Sequence, residues 1–143
     1  MKIRRVIRYE DEIYNAVLRL LPQLDTSVEL PSKEYFEEVI DSESIYFFVA
    51  ENESSEIAGV LTLASYPNIT GRKLWIEDVV VDNSFRGQGI GEKLTLAAIG
   101  FARTLGSNEV KLTSRPSRIA ANQLYLKIGF ERYETNLYKY RLT

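Results

Sequence analysis

Apolar residues return along this chain at spacings that predict its elements. From Met1 to Arg8 (MKIRRVIR) they alternate well enough for a strand with Ile3 or Val6 facing inward. Ile13, Ala16, Val17, Leu20, Leu21 and Leu24 then recur at helical spacing behind Asp11, which is placed to cap that helix. Pro22 lies inside the pattern and should end or kink it. Thr26 to Pro31 reads as a loop, and Ser32 caps a second helix with Phe36, Val39 and Ile40 on its buried side. Ile45 to Glu51 (IYFFVAE) and Glu56 to Ser65 (EIAGVLTLAS) read as strands joined by the hairpin-type connection Asn52-Glu53-Ser54-Ser55. Pro67 to Gly71 is another turn.

A β-branched run follows from Leu74 to Val81, then the polar turn Asp82-Asn83-Ser84, then a helix with Leu94, Ala97, Ala98, Phe101 and Leu105 on one stripe and Gly106 at its C-cap. Val110 to Thr113 is a short strand, broken by Ser114-Arg115-Pro116-Ser117. Ser117 is placed to cap a last helix with Ala121, Leu124, Tyr125 and Ile128 on one face, closed by Gly129. Leu137 to Leu142 (LYKYRL) reads as a terminal strand. The order β-αα-βββ-α-β-α-ββ predicts the α/β class in its α+β form: a mixed, mostly antiparallel sheet flanked by helices. No repeat or linker interrupts it, so residues 1–143 are expected to form one domain.

Composition narrows the chemistry more by what it lacks. The chain has 143 residues, 45% hydrophobic and 27% charged, with a net charge of -2 and no basic block, which argues against nucleic acid or a membrane surface as partner. No stretch is long and apolar enough to span a bilayer, and the N-terminus has no signal-peptide core, so a cytoplasmic protein is expected. With no Cys and no His, disulfides, Cys nucleophiles, Ser–His–Asp triads and almost any zinc site are excluded, and no metal is expected. A general base must be a carboxylate, tyrosine, lysine, terminus or water. Direct transfer between two bound substrates suits that inventory better than a covalent acyl-enzyme.

The candidate chemistry centres on Arg86-Gly87-Gln88-Gly89-Ile90-Gly91, between strand and helix. A helix start offers unpartnered N–H groups and partial positive charge, and glycines let a ligand lie against bare backbone. Arg86 adds a cation at the mouth. A P-loop would need Gly-Lys-Ser/Thr, but Gly91 is followed by Glu92-Lys93-Leu94. The glycines also miss the dinucleotide-binding G-x-G-x-x-G spacing. The remaining pattern, Arg-x-x-Gly-x-Gly between strand and helix, resembles the signature of the GNAT superfamily, the acyl-CoA-dependent N-acetyltransferases. The element order is similar too, most specifically from Trp75 to Phe130.

That resemblance implies acetyl-CoA as co-substrate, its diphosphate and pantetheine arm held by Arg86, Gly87, Gln88, Gly89, Ile90 and Gly91. Main-chain groups of Val79 and Val81 would bind the arm and polarise the thioester carbonyl, and Asn122 would contact coenzyme A from the last helix. In Leu124-Tyr125-Leu126-Lys127-Ile128-Gly129-Phe130, Tyr125 matches the tyrosine that faces the thioester sulfur, which makes it the candidate acid. Glu77 and Asp78 stand inside an otherwise apolar strand, where an unpaired carboxylate needs a reason. Some small-amine acetyltransferases carry a similar pair; Glu77 is placed ahead as base, with structural hydrogen bonding of both carboxylates or a relaying water as alternatives. Two departures stand out: Arg118 replaces an asparagine found in many relatives, and Thr113 replaces the glutamate base of acetylases of protein N-termini. The implied activity is direct N-acetylation of a primary amine, on a small molecule or peptide. The rival is a non-catalytic acyl-CoA-binding or regulatory module. The acceptor pocket is expected between the Pro22–Pro31 region, the central strand and the C-terminal strands, with Tyr35, Tyr66, Tyr133 and Tyr138 lining it or merely packing. Exposed terminal strands in this fold often pair, which would make a homodimer.

Overall fold

The computed structural model describes all residues, Met1–Thr143, as two compact units, Met1–Thr113 and Ser114–Thr143. The first holds a four-stranded antiparallel sheet in the order β1 (Lys2–Val6), β2 (Ile45–Glu51), β3 (Ile57–Asn68), β4 (Gly71–Val81). Helices α1 (Asp11–Leu24) and α2 (Lys33–Asp41) connect β1 to β2, and α3 (Ile90–Ala102) follows β4.

Strand alternation sorts the core into two layers. Phe47, Val49, Val60 and Val80 face one way and pack with Ile13, Ala16, Val17 and Leu20 of α1 and Phe36 and Ile40 of α2. Phe48 and Tyr46 face the other way, with ring centroids 5.9 Å and 4.8 Å from that of Phe101 on α3. Ile13, Leu20 and Leu94 are fully buried, each contributing about 1.5–3 kcal/mol by leaving water. Gly59 decides how closely α3 approaches. A Cβ there would lie 3.0 Å from the Val80 carbonyl oxygen and 3.1 Å from a Leu94 methyl. The missing side chain thus lets the start of α3 rest directly on β3.

Several boundaries move for identifiable reasons. Asp11 is the first residue of α1 rather than its cap; Glu10 holds the cap position without a side-chain capping bond, its carboxylate being paired with Arg4 instead. Pro22 does not break α1 because it falls in the last turn, where its missing N–H removes a single helical bond. Ser32 does cap α2, accepting from the Tyr35 N–H at 3.1 Å. Strand β3 runs on through Pro67, which pairs with Arg72. Strand β2 begins only at Ile45, opposite Ala64, so Pro67 needs no N–H on that side.

The expected strand Val110–Thr113 is reduced to one parallel bridge between Lys111 and Trp75. In the second unit, α4 (Ile119–Ile128) starts from Arg118, not from a Ser117 cap, and ends at Gly129. The tail carries no strand at Leu137–Leu142, and Leu137, Tyr138, Tyr140 and Leu142 are exposed. Alternating side chains do not make a strand until a neighbouring backbone accepts its hydrogen bonds.

Candidate functional site

The register of β3 with β4 breaks at one point. Thr62 pairs with Glu77 and Val60 with Val80, so Leu61 alone spans Asp78 and Val79. This is a β-bulge, and its extra residue is Asp78 at φ +51°, a left-handed conformation uncommon outside glycine, asparagine and aspartate. Simple alternation, which would let only one of Glu77 and Asp78 face the site, therefore does not hold here. Solvent reaches both side chains. Neither has an ion-pair or hydrogen-bond partner, and partial burial raises both carboxyls above the ordinary carboxylate range; the Asp78 charge raises Glu77 further.

The bulge also marks where the outer edge of β4 comes free. The Ile76 N–H donates to the Lys111 carbonyl at 2.8 Å and the Lys111 N–H to the Leu74 carbonyl at 3.0 Å. Beyond Ile76, main-chain groups on that edge, including those of Val79 and Val81, have no partner strand within the first unit. Free strand-edge groups are the type expected to hold an amide-bearing arm.

The strand exit is held tightly. Asp82 is buried; one carboxylate oxygen accepts from the Ser84 N–H at 3.0 Å and the Ser84 hydroxyl at 2.8 Å. The other pairs with the Arg19 guanidinium, which also donates to the Ile57 carbonyl at 2.8 Å. Gln23, one helical turn on, accepts the Asn83 N–H at 2.8 Å. The Ser84 N–H first, then its hydroxyl and the Arg19 charge, hold the Asp82 carboxyl below the usual range. Helix α1 thus grips the turn from which the glycine segment departs.

The segment itself is open. Arg86, Gly87, Gln88 and Gly89 are exposed, with φ +80° at Gly87 and +73° at Gly89, and a Cβ on either glycine would meet nothing within 4 Å. Gly89 caps α3 without a side chain, leaving its first-turn N–H groups facing outward. Ile90 is buried, so only its main chain can contribute; Gly91 lies in the first turn, its carbonyl accepting from the Thr95 hydroxyl at 2.7 Å. Bare backbone, a helix start and the Arg86 cation fit a diphosphate.

Two predicted residues lie in the second unit. Tyr125 is half-buried on α4, its ring edge-on to Phe130 at 5.7 Å. Burial raises its hydroxyl above the normal tyrosine range against the pull of Arg118, so it keeps its proton. Asn122 donates from its amide nitrogen to the carbonyls of Arg115 and Arg118, both at 2.9 Å. It thus fastens the turn before α4, which leaves only its oxygen for a ligand.

Arg19, Gln23 and Gly59 escaped the sequence reading, and Asp82 was read only as part of a polar turn. The one legible trace of Arg19 and Gln23 is the polar stripe Glu12, Asn15, Arg19, Gln23, at helical spacing beside the buried face of α1. Glu12, Asn15 and Arg19 line a cavity of about 610 Å3 together with Ser84 and Phe85.

Comparison with known proteins identifies the family. The acetyltransferase (GNAT) family matches residues 11–130. N-alpha-acetyltransferase 30 of Schizosaccharomyces pombe is 28% identical over 137 residues, covering 96% of this chain and 89% of that protein. Human N-acetyltransferase 8B is 34% identical over 87 residues, 60% of this chain but only 38% of that protein. The crystal structure of glucosamine-6-phosphate N-acetyltransferase from Arabidopsis thaliana superposes with a TM-score of 0.76 at 26% identity, covering 97% of each chain. With a family match that takes in α1, the bulged strand, the glycine segment and α4, the chain belongs to the GNAT acetyltransferase family.

Proposed function

We propose that this protein is an acetyl-CoA-dependent N-acetyltransferase whose acceptor is a primary amine. The single observation that carries the reading is the bulge at Glu77–Asp78. It sets unpartnered carboxylates with raised pKa on the strand that leads directly into an open glycine segment. A binding module needs the segment but not the carboxylates, so the pair weighs against a non-catalytic role.

Acetyl-CoA supplies the activated acyl group, with Arg86, Gly87, Gln88, Gly89, Ile90 and Gly91 as its diphosphate seat and the main chains of Val79 and Val81 along its arm. An alkylamine arrives mostly as ammonium, with a pKa of about 10. Glu77 takes its proton, directly or through water, and the raised pKa makes it a stronger base than an ordinary glutamate. The amine nitrogen then bonds to the acyl carbon as the carbon–sulfur bond breaks. Tyr125 gives its proton to the departing sulfur and regains one from the second proton that the nitrogen sheds as the amide forms, while the first leaves Glu77 for solvent. Its role is supported by its protonated state and by the Leu-Tyr-x-x-x-Gly-Phe context. Asn122 is retained as a coenzyme A contact through its oxygen.

The acceptors of relatives differ, from the N-alpha-acetyltransferase to the glucosamine-6-phosphate enzyme, so the family alone leaves the amine open. No helix is long and apolar enough to cross a membrane, and we place the enzyme in the cytoplasm. The match to residues 11–130 runs across the boundary at Thr113, which supports a single catalytic domain. Exposed apolar residues of the tail support pairing with a second copy.

The test is thiol release from acetyl-CoA over a panel of amines, amino sugars, amino acids and peptides. Amine-dependent release that falls sharply in Tyr125→Phe, with coenzyme A affinity kept, supports the scheme. Tight coenzyme A binding without release for any amine returns the binding-module reading.

A further inference from the structure

At the end of β4 remote from the glycine segment lies a separate cavity of about 350 Å3. One wall is the β3–β4 hairpin with the start of β4, and the other is the stretch from Gly106 to Lys111 that follows α3. Arg72, Lys73 and Lys111 line it, against the single carboxylate of Glu109. Glu109 lies 3.6 Å from the Lys111 ammonium and is largely exposed, so it removes little of the positive field. Arg72 borders it from the opposite face of β4, where its guanidinium donates to the buried Ser65 hydroxyl at 2.9 Å, so the cations on the Trp75 face are Lys73 and Lys111. The Lys111 ammonium lies 6.0 Å from the centre of the Trp75 ring. The paired hydrogen bonds between Lys111 and β4 knit the two walls, so the cavity needs little ordering to receive a ligand.

Its position along the strand gives it a use. Lys73, Trp75 and Glu77 alternate on β4 ahead of the bulge, so they share one face of the sheet. At a strand rise of roughly 3.3 Å per residue, Trp75 is about 7 Å and Lys73 about 13 Å from Glu77. Carboxylates at one end and cations at the other make a bipolar face: the first attracts an ammonium, the second an anion.

We propose that this cavity binds an anionic group of the acceptor, a phosphate or carboxylate some 7–13 Å from the amine, with Trp75 beneath the part between. The enzyme thereby selects amines that carry an acid group over neutral or polycationic ones. The selection rests on Glu77 as the base, whereas the anion site itself does not.

Trp75 is the one tryptophan of the chain, which gives a readout independent of activity. The protein is titrated with glucose 6-phosphate, inorganic phosphate and succinate while Trp75 emission is followed. A saturable change with at least one of them is expected, weakened about fivefold or more in Lys73→Gln and Lys111→Gln, whose folding is checked by circular dichroism. Acetyl transfer is then compared for glucosamine against its 6-phosphate, and for an amino acid amide against the amino acid. The two pairs separate phosphate from carboxylate. The acidic member of at least one pair should show about tenfold higher kcat/KM, carried by KM and eroded by salt. Emission unchanged by all three anions overturns the site. Saturable emission with equal kcat/KM within both pairs overturns its role in acceptor choice. Saturable emission with no transfer to any amine keeps the anion site and sinks the acetyltransferase reading instead.

Discussion

Glu77 and Asp82 are acidic residues of the same strand and its exit, and the fold treats them in opposite ways. Asp82 is buried yet fully provided for, with two donors from Ser84 and the guanidinium of Arg19, and its carboxyl is held below the ordinary range. Glu77 is reached by solvent yet has no partner, and its carboxyl is pushed up. One charge is satisfied because it fixes geometry: it anchors the turn that presents the glycine segment. The other is left unsatisfied, and an unsatisfied carboxylate retains an appetite for a proton. The proposed scheme needs both, a fixed seat for a diphosphate and a base beside it. The two charges are thus told apart by their partners, not by their burial.

The sharpest way to break this contrast is Glu77→Gln. Turnover should fall about a hundredfold or more while the apparent affinity for acetyl-CoA stays near wild type. Turnover within a few-fold of wild type would remove Glu77 from catalysis and collapse the distinction.

Next in size is Asp82→Ala, expected to destabilise the fold by about 1–3 kcal/mol in chemical denaturation, because it strands the Ser84 donors and the Arg19 charge. Coenzyme A binding should weaken with it, since the turn below Arg86 loosens. Arg19→Ala should do less, about 1 kcal/mol, as its side chain is 46% exposed. Full stability in Asp82→Ala would mean that the anchor is idle.

A smaller effect separates the two by pH. The raised carboxyl of Glu77 favours the protonated form in the folded state, so its ionisation opposes folding above the folded pKa. This opposition fades as pH falls toward the unfolded pKa of about 4.3. Glu77→Gln should therefore be slightly more stable than wild type at neutral pH, with the gain vanishing in mild acid. Asp82 has the reverse sign: its contribution is present above the unfolded pKa, about 3.9, and is lost as pH falls through its depressed folded value. Denaturation curves from neutral pH to pH 3 should show the two trends crossing. Parallel trends would contradict the assignment.

The smallest change concerns the bulge residue. Asp78→Asn should fold almost as well as wild type, because asparagine also tolerates a positive φ, whereas Asp78→Val should lose about 1–2 kcal/mol at φ +51°. Equal stability of the two variants would mean that the left-handed turn is not maintained in solution.

Much of this was legible in the chain. Strand β2 was predicted residue for residue at Ile45–Glu51, because six consecutive apolar positions bounded by polar and turn residues leave little else. The α1 stripe through Leu20, the Ser32 cap and the glycine segment were equally local, and the pattern from Arg86 to Gly91 pointed to the family. Legibility failed where pairing between distant segments decides. The sequence does not announce that Leu61 faces two residues of β4, that Arg19 reaches a turn 63 positions away, or that Lys111 closes a cavity beside Trp75. Nor did alternation in LYKYRL suffice to make a strand.

By itself, then, the sequence determined most of the helices and strands, that no His or Cys takes part, and that bare backbone lies between Arg86 and Gly91 at the start of a helix. Those properties follow from periodicity, residue inventory and the conformational freedom of glycine, all of which act within a few residues. The tertiary structure decided which carboxylates are paired and which are left without a partner, and where cations gather. Those depend on register and on approach between segments far apart in the chain, because the free energy of a charge is set by the groups that surround it.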